Sequence, residues 1–81
     1  MPADLPLVEV PAPDGRLGIA HVLKAADLVP STSEAFRLIR QGGVRIDGER
    51  VEDGALVIEA GPERIYQVGK RRFARVAVRK G

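Results

Sequence analysis

The stretch from residue 31 to residue 51, STSEAFRLIRQGGVRIDGERV, constrains the fold most, because it predicts several elements in immediate succession. Ser31 and Glu34 have the spacing of a capping box, in which the serine oxygen accepts a backbone N–H and the glutamate reaches back to the cap. Gly42 can adopt the left-handed conformation that ends a helix. A short strand, a tight turn at Asp47-Gly48 and the start of another strand follow. The stretch therefore predicts a helix followed by a β-hairpin.

The predicted helix has two distinct faces. Ala35, Leu38 and Ile39 are spaced i, i+3, i+4, so they form one apolar face that can pack into a core. A second face has the same spacing and is cationic, rich in hydrogen-bond donors and free of acids; its members are Arg37, Arg40 and Gln41. The helix is expected to bury the first face and to present the second to solvent.

The whole chain divides into two parts. Residues 1–15 contain four prolines, which lack the N–H that helices and central strands need, so this segment is expected to be an extended or disordered proline-rich linker. The alternative is that its apolar residues, Leu5, Leu7, Val8 and Val10, dock on the domain. Residues 16–81 are expected to form a single domain. Its first helix is predicted from Leu17 to Leu28 by a regular apolar stripe, with Pro30 as the residue that stops it.

Three β-rich runs follow the hairpin, at residues 56–58, 65–68 and 73–78, separated by glycine-containing turns. The last two runs flank a loop of about four residues and are predicted to form a hairpin, with Tyr66 and Phe73 in the core. The order of helix, helix and then strands predicts an α+β fold. Two N-terminal helices are expected to pack on one side of a small, mainly antiparallel sheet.

The composition excludes several classes of function. The 81-residue chain has no cysteine and one histidine, so it can form no disulfide, thiolate metal site or thiol nucleophile. No serine, histidine and acid have the spacing of a catalytic set, and no phosphate-binding glycine loop is present. No apolar run approaches the roughly 18 to 20 residues that span a bilayer, and no signal-peptide pattern is present. We therefore expect a cytoplasmic, non-catalytic domain with no cofactor, no metal and no membrane partner.

The distribution of charge is more informative than the formal net charge of +2. Residues 1–34 hold two basic and five acidic side chains, whereas residues 35–81 hold eleven basic and six acidic ones. A positive field on one part of a domain favours a polyanionic partner such as a nucleic acid. The alternative is a solvated surface that happens to be basic.

The candidate phosphate-binding residues fall into four groups. The N-terminus of the second helix offers free N–H groups, a positive dipole end and hydroxyls. Its cationic face, the first strand of the hairpin and the tip of the last hairpin offer guanidinium and ammonium groups, which bind phosphate oxygens. The complete set is Ser31, Thr32, Ser33, Arg37, Arg40, Gln41, Arg45, Lys70, Arg71 and Arg72. Phe36 lies beside this face and either stacks on a base or packs partly into the core.

Residues 31–48, STSEAFRLIRQGGVRIDG, resemble the S-four-type RNA-binding domain (the S4 domain), named after a protein of the small ribosomal subunit. The sequence pattern of that family begins with serine, has serine or glycine two residues later, and continues with Glu-Ala. It then has the tripeptide Arg-Leu-Ile, followed by Gly-x-Val-x-Val/Ile-Asn/Asp-Gly. The resemblance implies the fold of the family, the alpha-L RNA-binding motif, and an RNA partner held by the candidate residues.

Residues 67–76, QVGKRRFARV, are similar to the end of bacterial tyrosyl-tRNA synthetases, and the proline-rich start looks like the linker of such enzymes. This resemblance implies a C-terminal tRNA-binding domain that grips tyrosine tRNA by phosphate and shape contacts. The rest of the synthetase, an ATP-dependent tyrosine–tRNA ligase, would then be a second partner. The fragment is expected to be monomeric and the parent enzyme homodimeric. The alternatives are an rRNA- or ribosome-binding S-four domain of another protein and a protein-interaction module.

Overall fold

The computed structural model describes residue 5 and residues 7–80, and it places two helices against one face of a five-stranded sheet. A two-stranded sheet lies beside them. The elements are β1 Leu7–Pro11, β2 Arg16–Gly18, α1 Ile19–Ala25, α2 Thr32–Arg40, β3 Val44–Ile46, β4 Glu49–Arg50, β5 Val57–Glu59, β6 Arg64–Val68 and β7 Arg72–Arg79. The predicted α+β fold is confirmed.

The five-stranded sheet has the order β1-β7-β6-β3-β4. Three of its four strand pairs are antiparallel, and β1 pairs with β7 in parallel. The two-residue turn at Asp47-Gly48 joins β3 to β4, and both residues have positive φ (52° and 86°), as a type I′ turn requires. The hairpin of β6 and β7 has a loop of three residues, because Arg72 already pairs with Val68.

The core lies between the helices and one face of the sheet, and strand alternation decides which side chains enter it. The sheet contributes apolar side chains from alternate positions, and each helix contributes one stripe. The most deeply buried members include Val10, Ile19, Val22, Leu23, Ala35, Ile39, Val44, Tyr66 and Val76. Phe73 lies on the other face of the sheet and is only half-buried, so the prediction that it belongs to the core was wrong.

Helix α1 is shorter than the predicted span of residues 17–28. Leu17 and Gly18 form backbone pairs with β5, and the N–H of Ile19 donates to the carbonyl of Leu56 at 2.9 Å. The first residues of the predicted helix are therefore a strand, because a partner distant in sequence takes up their backbone groups. The apolar stripe itself is buried as expected.

The end of α1 is set by Asp27, which adopts a left-handed conformation with φ 61°. The N–H of Leu28 donates to the carbonyl of Leu23 at 3.0 Å, which closes the helix in the manner of a Schellman motif. The helix thus ends before Pro30, and the prediction that this proline stops it was wrong. An aspartate takes the position that glycine usually occupies, which is why the signal is weak in the sequence.

Residues 7–11, which the sequence assigns to a linker, form the edge strand β1 of the main sheet. Val10 and Ala12 are fully buried, whereas Leu7 is 44% exposed. Pro11 is tolerated because it closes an edge strand, where a missing N–H removes little pairing. Residues 1–4 and 6 of the expected linker, and residue 81, lie outside the described residues.

We predict that Val10→Ala lowers the free energy of unfolding by about 1.5 to 3 kcal/mol, because the substitution leaves a void in the core. Leu7→Ala in the same strand is the matched control and should lower the free energy of unfolding by clearly less, because Leu7 is 44% exposed and lies outside the core cluster. Chemical denaturation of both variants measures the difference. Equal effects would show that β1 does not belong to the folded unit in solution.

Tyr66 carries the one buried hydroxyl that makes no hydrogen bond within the described residues. Burial raises the pKa of Tyr66 to about 12; the charge of Arg64 lowers this pKa and that of Asp47 raises it. The neutral phenol is therefore the form that the folded state accommodates, because the phenolate would lose its hydration in the core.

The chain should lose stability in strong alkali because of Tyr66. Its pKa is about 12 in the folded state and about 10 when unfolded. The contribution of Tyr66 to the free energy of unfolding is complete below pH about 10. It is lost as the pH rises towards about 12, for a total loss of about 2 to 3 kcal/mol. Tyr66→Phe should lack this loss. Tyrosinate absorbance reports on Tyr66 alone, since it is the sole tyrosine and the chain has no tryptophan. Titration of the folded protein near pH 10 would contradict the assignment.

Candidate nucleic-acid interface

The N-terminus of α2 begins at Ser31, whose Oγ accepts the N–H of Glu34 at 3.2 Å. This bond confirms the predicted cap. The N–H groups of Thr32 and Ser33 belong to the first turn, where no helical carbonyl precedes them, so they are available to an anion. The carboxylate of Glu34 pairs with Arg37, three residues further on. The prediction that Glu34 reaches back to the cap was therefore wrong.

The exposed face of α2 presents Arg37, Arg40 and Gln41 to solvent, opposite the buried Ala35 and Ile39. Within residues 7–80, the side chains of Arg40 and Gln41 make no hydrogen bond or ion pair. The expectation that this face lacks an acid was wrong, because Glu34 reaches Arg37 across the surface. The Arg37 side chain is still 64% exposed, and a guanidinium has five N–H donors, so the ion pair leaves donors for a second partner.

Helix α2 ends as the sequence predicts, at Gly42 with φ +74°. The N–H of Gly43 donates to the carbonyl of Leu38 at 2.8 Å, which closes the last turn. A Cβ on Gly42 would lie 3.2 Å from Cδ of Arg50, so the Arg50 side chain lies against the end of the helix. Arg50 is therefore a cation near the end of α2 that the sequence analysis missed. The sequence signal that could have identified it is its position opposite Arg45 across the predicted Asp47-Gly48 turn.

The tip of the β6–β7 hairpin packs beside the start of α2. Nη1 of Arg72 donates to the carbonyl of Leu28 at 3.2 Å, which fixes the tip against the corner between the two helices. A groove of about 490 Å³ separates the tip from α2. Its lining consists of Leu28, Val29, Pro30, Glu34, Leu38, Val68, Gly69, Lys70, Arg71 and Arg72.

Helical geometry shows which α2 residues face this groove. Gln41 lies at i+7 from Glu34 and i+3 from Leu38, so it lies on the groove side, and Arg37 is adjacent to that side. Arg40 projects from the opposite flank together with Phe36, four residues earlier. The structure thus brings Arg37 and Gln41 close to the cationic tip, while Arg40 extends the positive surface around the helix.

Phe36 and Arg45 lie apart from the groove. Phe36 is 42% exposed and packs against the loop at Gly54, where a Cβ would lie 3.1 Å from its ring. Arg45 is exposed between the buried Val44 and the half-buried Ile46, so it projects from the face of the sheet opposite the helices. The structure does not bring Arg45 together with the other predicted residues.

A larger cavity of about 880 Å³ lies between the two-stranded sheet and the β3–β4 hairpin, but its charges are mixed. The acids outnumber the bases there, with Asp47, Glu49, Glu52, Asp53 and Glu59 against Arg16, Arg50 and Arg64. The groove beside α2 has three cations and one acid, so it suits a polyanion better despite its smaller volume. Among the residues that the structure describes, no group of histidine, aspartate and glutamate is arranged to hold a metal ion.

Comparison with known proteins identifies the family of this small α+β domain. The family model described as the S4 domain matches residues 18–61, which is more than half of the chain. This chain belongs to the S4 domain family. The match includes both helices and the β3–β4 hairpin, so it contains α2 and its two ends.

Several curated proteins that are similar to this chain are named tyrosine–tRNA ligase. The protein of Colwellia psychrerythraea is 51% identical over 78 residues, which is 96% of this chain and 20% of the relative. The protein of Coxiella burnetii is 53% identical over 78 residues, or 96% of this chain and 20% of the relative. The protein of Mannheimia succiniciproducens is 58% identical over 66 residues, which is 82% of this chain and 16% of the relative. The chain therefore spans about a fifth of the length of these relatives.

No helix within the described part of the chain is long and apolar enough to cross a membrane.

Proposed function

We propose that this chain is the tRNA-binding C-terminal domain of a tyrosyl-tRNA synthetase and that it grips tyrosine tRNA by phosphate and shape contacts. The observation that carries the proposal is the groove between α2 and the β6–β7 tip, which is lined by Lys70, Arg71 and Arg72 and adjoined by Arg37 on α2. Membership of the S4 family and similarity to tyrosine–tRNA ligases along 96% of the chain support it.

The groove can hold a phosphate backbone in two complementary ways. The free N–H groups of the first turn of α2 hydrogen-bond to phosphate oxygens, and the helix dipole favours their negative charge. The guanidinium groups of Arg37, Arg71 and Arg72 form paired hydrogen bonds to phosphate oxygens. Such contacts position an RNA of a particular shape but read little sequence. Recognition then depends on where a folded RNA brings its phosphates close together.

This role is non-catalytic. The ATP-dependent attachment of tyrosine would belong to the remaining four-fifths or so of the enzyme, as the fraction of the relatives' length that the chain spans suggests. The domain would add binding energy for tRNA through tethering to that part. The homodimeric parent and the cytoplasmic location stay predictions from the sequence.

Changing Arg37 and Arg40 together to Ala should weaken tRNA binding by more than about tenfold, because two phosphate contacts are lost. The unfolding midpoint should hardly change, since both side chains are exposed and the Arg37–Glu34 pair is a surface ion pair. Gel-shift or filter-binding titration measures the affinity. If about five cations contact phosphates, log K should fall against log salt with a slope of roughly −3.5 to −4.5.

The matched control replaces two exposed arginines away from α2, Arg16 and Arg79, with Ala. It removes the same charge and should change the affinity much less, because neither residue lies near α2. Equal affinity for the wild-type chain and the Arg37/Arg40 variant would refute the site.

Competition should distinguish tyrosine tRNA from ribosomal RNA. Tyrosine tRNA with an intact long variable arm should displace a bound tRNA at a lower concentration than an rRNA fragment of equal length, because its shape brings suitable phosphates together. Preference for the rRNA fragment would favour a ribosome-binding S4 domain. Binding to a protein partner that survives high salt and that follows apolar surface mutations would favour a protein-interaction module instead.

A further inference from the structure

The face of the five-stranded sheet opposite the helices carries a row of four side chains in register, which we call the outer row. Arg50 on β4 pairs with Arg45 on β3, Arg45 with Gln67 on β6, and Gln67 with Phe73 on β7. Paired residues of antiparallel strands start from the same side of the sheet, so the Cβ atoms of the four residues lie next to one another. The row consists of two cations, an amide and an aromatic ring.

Two arginines directly opposite each other on neighbouring strands are an unfavourable arrangement, because like charges in this position repel. Arg45 and Arg50 are in this position, and both are exposed. Arg50 pairs with Glu52 at 2.7 Å on the surface, whereas the Arg45 side chain makes no hydrogen bond or ion pair within residues 7–80. An anion at Arg45 would relieve the repulsion.

The other half of the row offers a place for a base. Nε2 of Gln67 donates to the carbonyl of Gly69 at 2.9 Å, which leaves the amide oxygen as an acceptor. Phe73 is half-buried and lies outside the core cluster. With strands about 4.8 Å apart, the backbone of Phe73 lies about 10 Å from that of Arg45 across the sheet. An aromatic ring on a sheet, within one nucleotide's reach of a cation, is a platform on which an unpaired base can stack.

The remaining cations of this face are already paired. Arg75 donates to the carbonyl of Leu5 at 3.1 Å and lies 3.5 Å from Glu63, and Arg79 lies 3.5 Å from Glu9. Arg50 is also paired, with Glu52, so Arg45 is the arginine of this face that has no ion pair within the described residues, and it lies beside Gln67.

The outer row is continuous with the helix side of the domain. The Arg50 side chain lies against Gly42 at the end of α2, next to Arg40 and Gln41. The β4 edge is two residues long, so a chain of phosphates can pass from the helix around this edge to the sheet. The geometry supports a second contact for the RNA that α2 holds.

We propose that the outer row binds an unpaired nucleotide segment of the RNA, with a phosphate at Arg45 and a base on Phe73. This inference rests on the proposed function, since the helical part of the same RNA occupies the groove beside α2. It assigns the sheet face a role in selecting RNAs that have a single-stranded stretch next to a stem.

Fluorescence anisotropy with two synthetic RNAs tests this proposal on the 81-residue chain. One RNA is a blunt-ended hairpin, and the other is the same hairpin with a short single-stranded 3′ extension. The extension should increase the affinity of the wild-type chain at least about fivefold, the effect expected for one stacked base. Phe73→Leu should remove most of this gain without changing the affinity for the blunt hairpin, and Phe73→Tyr should keep it.

The charge contribution is tested separately. Arg45→Gln should reduce the gain and lower the salt slope for the extended RNA by about 0.7, the value for one single-strand phosphate contact. Arg79→Gln is the matched control on the same face and should leave both affinities unchanged. Unfolding midpoints of all variants show whether a loss of binding reflects a loss of fold.

The outcomes separate the two proposals. Equal affinity of the wild-type chain for the two RNAs would overturn the proposal for the outer row. An equal loss of affinity for both RNAs in Phe73→Leu would do the same. Either result would leave the proposal for the groove standing. Failure of the wild-type chain to bind either RNA would overturn the proposed function together with this inference.

Discussion

The burial of Ala35 and Ile39 against the sheet determines how α2 is oriented, and the rest of the interface depends on that orientation. With these two side chains in the core, the arginines on the opposite side of the helix must face solvent. The ends of the helix are fixed independently, by the Ser31 cap and by the left-handed Gly42. A nine-residue helix held at three points cannot turn its charges elsewhere without breaking a packing contact or a cap.

The parts of the fold that follow from local sequence were predictable. Ser31, Gly42 and the Asp47-Gly48 turn act through their own backbone conformation or through groups a few residues away, so their effects can be inferred from spacing alone. The prediction failed where a distant partner decided the outcome. Residues 7–11 become a strand because β7 offers a parallel edge, and Leu17 joins a sheet with β5 instead of continuing a helix.

The candidate site was predictable to a similar extent. Periodicity correctly placed Arg37, Arg40 and Gln41 on the exposed side of α2, but only the fold shows that the hairpin tip lies beside the helix start while Arg45 lies across the sheet. The Glu34–Arg37 pair was missed because a glutamate at the third helical position can either cap or pair with the next turn. An exposed ion pair of this kind contributes little stability, so a phosphate can replace the carboxylate at small cost.

The two edges of the main sheet have a further consequence for how the domain behaves at high concentration. At one edge β4 is two residues long and charged; at the other, β1 is five residues long and includes Glu9 and Pro11. Short, charged or proline-containing edges are poor templates for strand addition from another molecule. The domain can therefore expose a sheet face to a ligand with little tendency to polymerise through its backbone.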